Sequence, residues 1–170
     1  MHRVDRAISP WVRTANWRWV EPLARDTQGA LYSLWACREE LWLARSFDRG
    51  ATWTTWRVAE GHDVLYYPYL IARGRGELAA TWLSGRGETL QAHVARLEVG
   101  DADSSPRMIE SRPFRIDSWS AGALPDDPPI RDSVGEYISM TFLKEDGLAM
   151  VCPIQNKGAQ RFGFSYRRIQ

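Results

Sequence analysis

The chain has few of the residues that build stapled, metal-bound or membrane-embedded proteins. Among its 170 residues are only two cysteines, Cys37 and Cys152, and three histidines. The thiols form no C-x-x-C pair and have no histidine beside them in sequence, which argues against a zinc site. Nothing in their placement argues for a disulfide. No apolar run approaches membrane-spanning length. Met1 to Pro10 carries no apolar h-region, so no signal peptide is expected and a soluble, cytoplasmic protein is the default expectation. An excess of charge of one sign is missing too. The formal net charge is +1 and no basic block stands out, so nucleic-acid binding has no electrostatic support. Gly74-Arg75-Gly76 and Gly85-Arg86-Gly87 lack the Gly-Lys-Ser/Thr ending and following helix of a phosphate loop, and read as turns. Asp126-Asp127 with Asp132 matches no EF-hand spacing and reads as a solvated loop. No cofactor and no metal is expected.

What the chain does have is aromatic residues and repetition. Nine tryptophans and six tyrosines favour strands. Short strand-like runs alternate with polar turns from Trp17 onward. Pro22 and Pro68 each mark an edge strand rather than a helix. Gly29-x-Leu31-x-x-x-Trp35 matches Gly76-x-Leu78-x-x-x-Trp82, and Ala44-Arg45 matches Ala95-Arg96. The spacing from Gly29 to Gly76 is 47 residues, close to the roughly 40–50 residues of a propeller blade. The pattern predicts four-stranded meanders over about 16–59 and 64–116 and a third unit over 135–170. A strand at 4–13 and a long loop at 117–134 complete the expected organisation.

Between two of these strands lies Ser46-Phe-Asp48-Arg-Gly50-Ala-Thr52-Trp53. Gly50 suits a positive φ, Asp48 can accept amide hydrogen bonds across a turn, and Ser46 and Thr52 can do so more weakly. Trp53 offers a large anchoring face. This S-x-D-x-G-x-T-W stretch resembles the Asp box of the BNR-repeat, sialidase-like (neuraminidase) β-propellers. The resemblance covers most of the chain from Trp17 on, but only about half of a family domain. It implies an all-β fold, a partial β-propeller of four-stranded antiparallel blades with about three blades present. Three blades do not close a ring, since closed propellers carry 4–8. The chain is then part of a longer propeller, one of two copies that build a ring (a homodimer), or an open sector.

In that family the Asp box lies on the turn between the third and fourth strands, on the face away from the ligand. Ligands bind where the innermost strands begin. There Glu21, Tyr67 and Glu136 or Tyr137 hold equivalent places on three successive units. Sialidases use a tyrosine activated by a glutamate as nucleophile, an exception to the two-carboxylate rule. They add an aspartate as acid–base and arginines as a bidentate clamp on the substrate carboxylate. The resemblance implies Tyr67 or Tyr137 as the phenol, Glu21 or Glu136 as its base, and Asp63 or Asp132 as acid–base. Arg18 and Arg131, with Asp132 beside them, are the candidates for substrate binding. His62 reads as a surface residue and His93 as a packed strand residue. The expected partner is a glycan or other small polar ligand, handled by an exo-glycosidase, by a non-catalytic binding propeller, or by a degenerate structural one.

Overall fold

Antiparallel meanders account for every strand among the described residues of the computed structural model, which are 23–37, 39–61, 64–86, 89–100, 104–115, 139–156 and 161–169. The first sheet has the order β1 (Leu23–Arg25), β2 (Leu31–Cys37), β3 (Glu40–Ser46), β4 (Thr54–Glu60). The second is β5 (Val64–Arg73), β6 (Glu77–Arg86), β7 (Thr89–Glu98), β8 (Arg107–Arg115). The third is β9 (Ser139–Phe142), β10 (Leu148–Asn156) and β11 (Arg161–Ile169), with β10 central. The expected strand at 4–13 and the loop at 117–134 lie outside the described residues.

Alternation decides which face of each strand is buried. In β2, Tyr32, Leu34 and Ala36 are buried while Leu31, Ser33, Trp35 and Cys37 are half-exposed. Leu41 and Leu43 of β3 lie opposite Ala36 and Leu34, so the apolar rows coincide. β6 differs because both of its faces are covered. Leu78, Ala80 and Trp82 join Tyr32, Leu34, Leu41 and Leu43 in one core between the first two sheets. Ala79, Thr81 and Leu83 are equally buried, and the Thr81 hydroxyl lies 3.2 Å from Met150 Sδ of the third sheet. The near-continuous apolar run of β6 is that of a strand in a sheet packed on both sides. Each fully buried leucine here contributes roughly 1.5–3 kcal/mol.

The Gly85-Arg86-Gly87 turn expected from the sequence begins later than its glycines suggest. β6 runs through Gly85 and Arg86, which pair with Leu90 and Thr89. Cross-strand pairing here outweighs the turn preference of glycine. Pro68, buried on β5, sits where the β5–β6 register shifts between Tyr66 and Tyr69. A proline has no N–H for the ladder, and an edge-strand irregularity is where it is tolerated.

The first hairpin of each sheet is built alike. Three-residue loops cover 27–29, 74–76 and 144–146, the last as one turn of 3-10 helix. Their third residues, Gly29, Gly76 and Asp146, all have positive φ, at 91°, 66° and 61°. That is the left-handed residue a three-residue hairpin loop requires.

Polar contacts link each sheet to the next. Asp26 Oδ2 accepts the Gly76 amide at 3.1 Å. Arg73, which holds the position of Asp26 in the second sheet, bonds the Asp146 carboxylate and stacks over Phe142 at 4.5 Å. Arg45, nearly fully buried and flanked by the Phe47 and Trp56 rings, donates to the Gly100 carbonyl of the second sheet. Arg96 donates to the Asp146 carbonyl of the third. The Ala44-Arg45 and Ala95-Arg96 repeat is thus a pair of inter-sheet bridges.

Candidate functional site

Links in a meander alternate between two ends of the sheet, so each sheet has two unlike rims. One rim carries the loops 27–29, 74–76 and 144–146 and the Ser46–Trp53 turn. The other carries the β2–β3 and β4–β5 connections and the ends where β6 meets β7 and β10 meets β11. Strand β5 packs against β1 and β2 on one side and β9 on the other, so the first strands of the three sheets are neighbours. They start at this second rim.

Of the candidate residues there, Tyr67 belongs to β5, within the register irregularity beside Pro68. Asp63, Glu21, Arg18, Glu136, Tyr137, Arg131 and Asp132 lie outside the described residues. His62 does as well.

Two described constellations lie on or near the second rim. Glu40 Oε2 accepts from Trp42 Nε1 at 2.9 Å, and Oε1 accepts from Arg57 Nη1 at 2.9 Å. Arg57 also reaches Glu60 at 3.1 Å. The Arg57 hydrogen bond, then that from Trp42, holds Glu40 below the usual carboxylate range. Glu40 in turn raises Arg57. Trp42 stacks with Trp35 at 6.4 Å and 12° between planes. This combination offers an ionised acceptor, a guanidinium and a flat indole pair. The second constellation lies between the first two sheets. His93 stacks on Trp82 at 5.1 Å with planes 3° apart, and its Nε2 is 2.6 Å from Ser84 Oγ. The sequence reading placed His93 in a packed strand. It missed Trp42 and Arg57, whose pairing is set by the β3–β4 register. The Trp35–Trp82 repeat is the signal that points to them.

The Ser46–Trp53 turn sits on the opposite rim and is saturated internally. Asp48 Oδ1 accepts from the Thr52 amide and the Ser46 hydroxyl, each at 2.8 Å, and Oδ2 from the Thr52 hydroxyl at 2.6 Å. Ser46 Oγ accepts the Gly50 amide at 2.8 Å, and Trp53 Nε1 donates to the Gly50 carbonyl at 3.0 Å. Gly50 has φ 90° and Arg49 φ 60°. The Thr52 hydroxyl first, then the Thr52 amide and Ser46, push the Asp48 carboxyl down to about 2. A carboxylate so engaged holds a turn.

No protein-family model matches the chain. No curated protein matches it either. Among solved structures it is similar to the α-L-arabinanase of Penicillium chrysogenum, determined in complex with arabinobiose, with a TM-score of 0.53 and 15% identity. The match covers 87% of this chain and 45% of the arabinanase chain. The chain therefore spans less than half the length of that propeller. At this identity the likeness establishes the fold: these are antiparallel β-sheets of a partial β-propeller.

Proposed function

We propose that the chain is a sector of a glycan-handling β-propeller of the sialidase-like kind, acting as an exo-glycosidase once further blades complete the ring. The observation that carries the reading is the Ser46–Trp53 turn, whose hydrogen bonds use all the fixed positions of the Asp-box pattern. The likeness to a propeller crystallised with a disaccharide supports the glycan class. In this reading Tyr67 or Tyr137 is the nucleophile, with Glu21 or Glu136 as its base. Asp63 or Asp132 handles the proton, and Arg18 and Arg131 hold the substrate's anionic group. A phenolate nucleophile avoids setting a carboxylate against an anionic sugar.

The test is turnover of fluorogenic aryl glycosides, a sialoside beside an arabinofuranoside. Release from the sialoside that falls at least about a hundredfold in Tyr67→Phe or Tyr137→Phe supports the reading. Release from the arabinoside alone moves the substrate class away from sialic acids. Saturable sugar binding without release makes the protein a non-catalytic binding propeller.

A further inference from the structure

A β-bulge in β4 gathers charged side chains that a regular strand would keep apart. Glu40 and Leu41 pair with Glu60 and Ala59, but Trp42 pairs with Arg57, so Val58 is the extra residue. In a regular strand residues 57 and 60 point to opposite faces. Here Val58 and Ala59 both pack against the core, and Arg57 and Glu60 emerge together beside Glu40. Arg57 Nη1 bonds Glu40 Oε1 at 2.9 Å and lies 3.1 Å from Glu60 Oε2. Two carboxylates thus stand directly opposite each other, a pairing that costs stability, with one guanidinium between them.

The second sheet does not repeat this arrangement. By the Ala44-Arg45 and Ala95-Arg96 match, Gln91 stands there for Glu40 and His93 for Trp42, and Pro113 pairs with His93 where Arg57 pairs with Trp42. The bulge of that sheet falls elsewhere, between Arg96 and Leu97. The charged cluster is therefore a feature of the first sheet and not a requirement of the fold.

The cluster has groups to offer a ligand. Both ion pairs of Arg57 are made by Nη1, so its Nε–Nη2 edge has no acceptor among the described residues. The side chains of Arg57 and Glu60 are 48% and 59% exposed. Trp42, half-exposed, is held in the same row by its Nε1 bond to Glu40 and by the stacked Trp35 on the β2 side. With one positive charge against two negative ones, an anion meets net repulsion. A cation would have to displace Arg57. A neutral polyol suits all the groups: adjacent hydroxyls accept from the Nε–Nη2 edge and donate to Glu60, and a C–H face meets the electron-rich indole face.

We propose that Glu40, Trp42, Arg57 and Glu60 form a binding subsite for a neutral sugar unit of a glycan. The subsite lies on the two outer strands of the first sheet, away from the first strands, where Tyr67 lies. It does not rest on the glycosidase reading.

Solution NMR of the full chain with arabinobiose, cellobiose and lactose tests this. At least one of them should shift the Trp42 indole N–H signal saturably, with the Arg57 Nε–H signal following the same curve. Loss of the indole signal in Trp42→Phe assigns it. N-acetylneuraminic acid, whose carboxylate meets the two glutamates, should shift neither signal. Arg57→Met and Glu60→Ala, each checked for unchanged circular dichroism, should weaken binding at least about tenfold. Should a variant misfold, agreement of the two signals in the native chain decides. No shift with any of the three neutral sugars up to about 50 mM, enough to fill a millimolar site, overturns the proposal. So does an equal or stronger response to the acid, or full binding retained in both variants. A neutral sugar that moves other signals and leaves these two in place overturns it as well. Turnover is not read, so failure here and failure of the glycosidase reading are told apart.

Discussion

Asp26 Oδ2 accepts the amide of Gly76 at 3.1 Å, across the junction of the first two sheets. The same oxygen accepts the Tyr32 hydroxyl at 2.9 Å, while Oδ1 takes the amides of Gln28 and Ala30 at 2.9 and 3.0 Å. One carboxylate thus closes its own hairpin and holds the loop of the next. Gly76 fits this role because a side chain there would meet the Val99 carbonyl at 2.0 Å. That carbonyl's residue also donates its amide to Gly76 O at 2.8 Å.

Replacing Asp26 with alanine leaves the buried Gly76 and Ala30 amides and the Tyr32 hydroxyl without an acceptor. The loss should be about 3 kcal/mol, several times that of an ordinary surface change. Tyr32→Phe removes one hydrogen bond to a charged group and should cost about 1.5 kcal/mol. Urea unfolding followed by tryptophan fluorescence measures both, and equal effects would contradict the shared-carboxylate geometry.

Acid should loosen the loop rim before it unfolds the core. Burial pushes the Asp26 carboxyl up, but the hydrogen bonds from Gly76, Tyr32, Ala30 and Gln28 together hold it below its ordinary value. Asp48 is held down to about 2 from an ordinary 3.8. A lowered folded-state pKa gives stability that is full above the unfolded value and is lost as pH falls through the folded one. For Asp48 that window runs from about pH 4 to pH 2. Monitoring of Trp53 over this range should show a transition that Asp48→Asn largely abolishes.

The two repeat glycines should not be equally replaceable. Gly29→Ala meets only the flexible Arg25 side chain at 3.4 Å and bears the cost of its positive φ, about 1 kcal/mol. Gly76→Ala adds a backbone clash to the same φ penalty. It should cost well over twice as much and separate the second hairpin from β7. Thermal melts of the two variants give the comparison.

Arg45 gives a fourth measurable effect. It is buried between two aromatic rings, and its guanidinium bonds the Gly100 carbonyl. Arg45→Met keeps an apolar stem but forfeits the hydrogen bond and both ring contacts, for roughly 2–3 kcal/mol. Arg45→Lys should recover only part of this, because an ammonium lacks the planar fork that stacks between rings. Chemical denaturation of the pair resolves the order.

Local patterns made much of this fold legible. The strand-like runs between polar turns announced the antiparallel meanders. The 47-residue spacing announced the second unit. The Ser46–Trp53 stretch announced its own turn, because all its hydrogen bonds run between residues at most four positions apart. The candidate site was less legible. Trp42, Arg57 and Glu40 meet through the β3–β4 register, which shifts between Leu41 and Trp42. Ser84 and His93 meet through the β6–β7 pairing. Strand alternation puts Glu40 and Trp42 on one face, but no short-range rule brings Arg57 to them or Ser84 to His93.

The sequence by itself determined the all-β class, the hairpin loops and their left-handed glycines, and the saturated Ser46–Trp53 turn. In each case the deciding forces act within a few residues along the chain. The tertiary structure alone decided that Asp26 grips Gly76, that Arg45 and Arg96 bridge to the next sheet, and that Trp35 and Trp42 occupy the place sealed by packing at Trp82 and His93. Those relationships depend on the distance and register between sheets, which packing sets and local sequence does not.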